Sequence, residues 1–296
     1  MKLLQMLGML WLLNSCGIQE TKPSIPQIVS ERLQAQITRM TSLLAWTCDG
    51  AAPARRPNIE CIVEGDAVSM TGWTLLYGNL GSWSLIEKSI GEDGRPWRNP
   101  KRVGGTDMNS FSRDQLLGLL EGSAAHTSDS LKSAMRYIER TGRLCPGDDR
   151  CNLTGGVLEL VKILLKTPIS QAEKTVNDWT IQTEANTVPP GYQAHLVSRK
   201  IMLHAHLGTL TTGHAKAAAV LARRFPHSLF LRTAHAVANH KEFLPIAEDL
   251  ATCMESWESP GNAWIGEEIE RGCQKNSYGH EYVSLAKFLL QTKEFL

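Results

Sequence analysis

The acidic side chains best placed for chemistry stand at two helix starts. Glu64-Gly65-Asp66-Ala67 opens one helical stretch, and Asn109-Ser110-Phe111-Ser112-Arg113-Asp114 leads into another. A helix N-terminus presents unpaired N–H groups and the positive end of the macrodipole, so it favours negative charge. Capping accounts for either aspartate alone. Together, Asp66 and Asp114 form the pair that glycoside cleavage requires, one as acid and the other as base or nucleophile, with Glu87 and Asp93 as substitutes. The segment Gly91 to Asn109 between them is irregular and carries Asp93, Arg95, Trp97, Arg98, Arg102 and Asp107. Loops of that length inside a domain are functional or disordered, and its tryptophan and arginines argue against disorder. Trp97 offers a face for a sugar ring. Arg98 and Arg113 have the fork that grips a carboxylate, and Asp93 adds a polar contact. In a polysaccharide lyase the same arginines would neutralise a substrate carboxylate while a general base takes the proton.

Other chemistries find less support. Eight of the nine histidines lie between His195 and His280. His204-x-His206 has the look of a metal pair, but two residues apart on a helix means about 200° apart around it. A metal-dependent hydrolase would need three of His195, His204, His206, His214, His235 and an acidic residue to converge. The expectation is no metal and no cofactor. There is no His-Glu-x-x-His, no Gly-x-Ser-x-Gly and no phosphate loop. A net charge of +1 with mixed signs leaves no basic footprint for nucleic acid.

The N-terminus bears on location. Lys2 precedes an apolar run, Leu3 to Leu13, that ends Leu13-Asn14-Ser15-Cys16. A charged start, a short apolar core and a small residue before a cut site describe a secretory signal peptide, too short to span a bilayer. The last four residues resemble the lipobox of bacterial lipoproteins. That resemblance implies a signal peptide over 1–15, lipid on Cys16 and a tether over 16–26. Gly17, rather than aspartate, follows the cysteine, which implies a bacterial cell envelope location, lipid-anchored at the outer membrane and facing the periplasm. Seven cysteines minus Cys16 leave six, in three sequence-local couples. In an exported chain these pair as Cys48–Cys61, Cys145–Cys151 and Cys253–Cys273, although six cysteines allow fifteen connectivities.

The elements that must position these residues are helices. Ile28, Leu33, Ile37, Met40, Leu43 and Leu44 recur at helical spacing from Gln27 to Trp46. Further helices are expected over Asp66–Tyr77, Ser82–Ile90, Gln115–Ala125, Ser130–Thr141, Gly156–Lys166 and Gln171–Thr183. The series continues over Tyr192–Leu207, Gly213–Arg224, Ser228–Asn239, Phe243–Trp257, Trp264–Cys273 and Tyr282–Gln291. Few runs alternate with period two, so no sheet is expected. The fold class is all-α, with antiparallel helix hairpins in one domain over 27–296. Asp66 to Leu165, with long loops gathered among hairpins, resembles the (α/α) toroids of glycoside hydrolases and polysaccharide lyases. The combined expectation is an exported, membrane-anchored lipoprotein that binds a cell-envelope polysaccharide, with cleavage as its catalytic form. The alternative is a non-catalytic lipoprotein, a binding or scaffold module for a protein partner of unknown identity.

Overall fold

Two helices with no solvent-facing side organise the protein. In α2 (Ala67–Gly78) every residue except Leu76 is buried, and in α4 (Arg113–Ala125) burial runs unbroken from Asp114 to Ser123. A helix buried all round belongs at the centre of a domain. They cross at two glycines. A Cβ on Gly72 would sit 1.8 Å from the Gly118 carbonyl oxygen, and one on Gly118 would sit 2.5 Å from the Val68 carbonyl. No side chain fits between these backbones. Gly118→Ala is therefore expected to force the helices apart and cost at least ~1–3 kcal/mol by overpacking. Denaturant unfolding measures the loss, and an unchanged midpoint would contradict the close crossing.

The computed structural model describes residues 25–143, 145–147, 155–166, 180–188, 192–261, 273, 275 and 277–292. Around the central pair run α1 (Gln27–Thr41), α3 (Trp83–Lys88), α5 (Asp129–Thr141), α6 (Gly155–Leu165), α7 (Ile181–Thr187), α8 (Tyr192–His206), α9 (Thr212–Arg224), α10 (Leu229–Ala238), α11 (Leu244–Ser256) and α12 (His280–Gln291). The fold is all-α, as the periodicity implies. Among the described residues no helix is long and apolar enough to cross a membrane.

The described apolar residues gather in two clusters that meet at α2. One holds α1 and α7 to α12 and takes Trp73 and Tyr77 from α2. The other holds α3 to α6 and takes Ala67, Val68 and Leu75. The outer helices are amphipathic for the usual reason, one face to the core. In α5 the buried set is Ser130, Leu131, Ala134, Met135, Tyr137 and Ile138. In α1 it is Val29, Leu33, Ile37 and Met40. Ile28 and Leu43, assigned by spacing to that face, are 70% and 48% exposed, and Val29 takes the inward position.

Three local expectations are corrected. The first helix stops at Thr41, and Trp46–Thr47 (β1) pairs antiparallel with Ala52–Pro53 (β2). The turn between them places Cys48, Asp49 and Gly50 at φ of 53°, 59° and 80°, so a small ribbon exists where no sheet was expected. Ile25, placed in the tether, is buried beside Val29 and Leu33, so the helical domain begins before residue 27. Two disulfides, Cys48–Cys61 and Cys253–Cys273, join sequence-local partners. Of the remaining assignments, Cys16, Cys151 and most of the Gln171–Thr183 and Trp264–Cys273 helices lie outside the described residues.

Candidate functional site: a carboxyl pair at the central helix starts

The glycine crossing sets α2 and α4 side by side, so their first turns meet. Asp66 is the residue before α2, yet its side chain makes no capping hydrogen bond. The donors it would cap are satisfied otherwise. The Val68 N–H donates to the Arg98 carbonyl at 3.1 Å. The Ser69 N–H donates to Gln115 Oε1 at 3.1 Å. Gln115 then offers its amide nitrogen to both aspartates, at 3.2 Å to Asp66 Oδ1 and 3.1 Å to Asp114 Oδ2. Those two carboxylate oxygens therefore lie at most about 6 Å apart, twice a hydrogen-bond length. The Ser112 hydroxyl donates to Asp114 Oδ1.

Charge around the pair is arranged in depth. Glu64 is fully buried, pairs with Arg55 Nε at 2.8 Å and accepts from the Arg55 and Asp66 N–H groups. Arg55 Nη1 stands 3.6 Å from Asp66 Oδ2, and Arg98 Nη1 stands 3.9 Å from Asp66 Oδ1. Tyr278, buried just before α12, bears on the same group and hydrogen-bonds Arg55. The Asp66 carboxyl is pushed up to about 6. Burial is the main cause, the nearby Asp114 charge adds to it, and Arg55 opposes it. The Asp66 side chain keeps 16% of its surface open to solvent. A carboxyl that keeps its proton up to about pH 6, beside a second carboxylate, has the make-up of a general acid with its partner.

The remaining expected site residues are placed as follows. Arg98 lies at the pair but is spent on the protein: it donates to the Gly65 and Asn109 carbonyls at 3.1 and 3.2 Å and to Ser112 Oγ at 3.4 Å. It ties the irregular loop to both helix starts. Trp97 is 3% exposed, with the Arg95 guanidinium 4.2 Å above its ring. Its face is covered, so the expected stacking surface is corrected to a core side chain. Arg113 points away from Asp114, as its neighbour around a helix must, and lines a cavity of about 60 Å³ with Glu184 and the buried Lys200. Asp93 is exposed and accepts from the Arg95 N–H at 2.9 Å, a turn-forming role. Glu87 is exposed on α3.

Sequence reasoning missed Gln115, which joins the pair, and Arg55 and Tyr278, which come from distant segments. Only Gln115 carried a signal, as the immediate neighbour of Asp114. A groove of about 600 Å³ runs over the Cys48–Cys61 loop and the 3-10 turn Pro100–Arg102, with Lys88 and Lys101 in its walls. No family model matches the chain, and no curated protein or solved structure is significantly similar to it.

The histidines separate into two settings. His195 is buried, stands 3.5 Å from Glu281, and is held far below its ordinary pKa by burial and by Arg199. It is therefore neutral. His204 and His214 meet on another side, with ring centroids 4.0 Å apart, and Glu159 joins them. One ligand atom from each of these three lies within 4.8 Å of the others. His206 and His235 are not part of this group.

Proposed function

We propose that this chain is an exported lipoprotein that binds and cleaves a cell-envelope polysaccharide, with Asp66 as general acid and Asp114 as its partner carboxylate. One observation carries the reading. Asp66 stands at a helix start but does not cap it. Gln115 and Arg98 take over the capping, and Gln115 holds the freed carboxyl beside Asp114. A structural aspartate at that position would accept from the helix N–H groups itself. The separation of at most about 6 Å suits the closer of the two carboxyl spacings, in which the second carboxylate attacks the sugar and configuration is retained.

The surroundings suit a glycan. Ile62, Val63, Val103 and Met108 are 37–58% exposed on the segments flanking the pair and offer apolar surface to a sugar ring. The groove is lined by Cys61 and Pro100, which lie close in sequence to Glu64–Asp66 and to Arg98–Asn99, while the two aspartates themselves are not in its lining. Lys88 and Lys101 would meet a carboxylated sugar there. A toroid-like arrangement of the hairpins and a membrane anchor on Cys16 are further parts of this proposal.

Its test is turnover of peptidoglycan and of acidic bacterial polysaccharides by the mature protein, with product configuration followed by NMR. Retained configuration and loss of turnover in Asp114→Asn are expected. Binding without turnover by the wild type would leave a glycan-binding lipoprotein without catalysis, and neither binding nor turnover would favour the protein-binding alternative. The anchor is checked separately. Cys16→Ser is expected to leave the chain unprocessed or released from membranes, and an unmodified Cys16 in mature, membrane-bound protein would count against lipidation.

A further inference from the structure

We infer that Glu159, His204 and His214 form a divalent transition-metal site of the zinc class, joining α6, α8 and α9. The ligand set is two imidazoles and a carboxylate, which leaves room for water as a fourth ligand in a tetrahedron. The three residues come from three helices, and their ligand atoms already gather within 4.8 Å. The His214 Nε2 to Glu159 Oε2 distance is 4.0 Å. A tetrahedral zinc with bonds of about 2.0–2.1 Å needs ligand atoms roughly 3.4 Å apart. The closing movement falls to Glu159, whose side chain is 49% exposed and free to change rotamer.

The second observation is the state of His204. It is completely buried, and its Nε2 has no hydrogen-bond partner. Its Nδ1 lies 2.9 Å from Thr209 Oγ1, while that hydroxyl reaches the His204 carbonyl at 3.3 Å. If the hydroxyl donates to the carbonyl, it accepts the proton of Nδ1. The Nε2 lone pair is then left bare beside His214. Buried polar atoms are ordinarily paired, and an orphaned one calls for a ligand. A histidine ligand typically donates its other ring N–H to such an oxygen, which fixes the ring and its tautomer.

His214 opposes binding slightly. Its Nδ1 accepts the Thr211 N–H at 3.3 Å, half of the capping box that starts α9. Metal on Nε2 moves the ring proton to Nδ1 and breaks that long hydrogen bond. The loss is one weak contact, against three metal–ligand bonds. The site would also have a structural effect. Helix α6 belongs to one apolar cluster, and α9 to the other. The ion would clamp the two together.

The experiment is calorimetric titration of the chelator-treated mature protein with Zn²⁺, alongside thermal unfolding and Co²⁺ absorption. Expected are one saturable equivalent, a higher midpoint with Zn²⁺, and the intense visible bands of tetrahedral Co²⁺. Glu159→Gln, at a half-exposed position that leaves folding intact, should weaken binding at least tenfold, and His204→Gln should abolish it. His206→Ala should bind as the wild type does, and so should Asp114→Asn, since the site is separate from the carboxyl pair. Absence of saturable binding, or binding of equal strength in Glu159→Gln, would overturn the assignment.

Discussion

Asp66→Asn is expected to lose turnover and to gain stability at neutral pH. The two effects have one cause. The native carboxyl is pushed up to about 6, mainly by burial and then by Asp114, so its charged form is disfavoured in the folded state. In the unfolded chain the group titrates near ~3.9. A folded pKa raised above the unfolded one gives stability that is complete below about pH 4 and lost as pH rises through about 6. Asparagine mimics the protonated form at every pH. Asp66→Asn should thus match the wild type below pH 4 and exceed it above pH 6, by on the order of 2–3 kcal/mol. Denaturant midpoints across pH 4 to 8 measure this.

Turnover should fall about a hundredfold or more, the loss ordinarily seen when a general acid is removed. Asp114→Asn should fold normally and also lose turnover. It removes one cause of the raised Asp66 pKa, so the Asp66 titration should move to lower pH, which NMR can follow. A pair that serves only architecture would leave wild-type turnover without an alkaline decline near pH 6.

Arg199→Met is expected to cost about 3–5 kcal/mol. Arg199 is 2% exposed and pairs with Glu121, which is fully buried. Its Nε donates to Glu121 Oε1 at 3.0 Å, and its other nitrogens reach Ser69 Oγ and the Ser69 carbonyl at 3.0 and 3.1 Å. Removing the cation strands a carboxylate that burial already pushes upward and that Arg199 alone holds down. The variant should therefore recover stability as pH falls and Glu121 takes up a proton. The double variant Glu121→Leu with Arg199→Met should be more stable than Arg199→Met, because the Glu121 carboxylate is no longer stranded. A double-mutant cycle on denaturant midpoints decides it, and a double variant no better than the single would contradict the account.

The sequence reveals outer helices better than inner ones, for a physical reason. Helix α5 shows its buried face because its other face meets water. Helices α2 and α4 have no wet face, so their apolar residues are not confined to one side and periodicity vanishes. Their starts were legible through Asp66 and through the segment leading to Asp114, and that was enough to nominate the carboxyl pair. What brings the pair together was not legible. Gly72 and Gly118 read as ordinary helix glycines, and only the packed structure shows that they touch. Trp97 misled because an aromatic among arginines reads equally as a ligand platform or as a plug beneath Arg95. Arg113 misled because adjacency in sequence is not adjacency on a helix. The convergence of Glu159, His204 and His214 has no local signature, since three helices contribute one residue each.

Helix α12, from the C-terminal end of the chain, packs on α1 and α2 from its beginning. Tyr278, which bears on Asp66 and Glu64, stands just before it. A chain that emerges N-terminus first thus holds both aspartates long before it holds the tyrosine that bears on Asp66. Its N-terminal helix waits for a partner nearly the whole length of the protein away. Such wide sequence separation delays the final docking step. The surroundings of the Asp66 carboxyl are thus complete only once the segment carrying Tyr278 has docked.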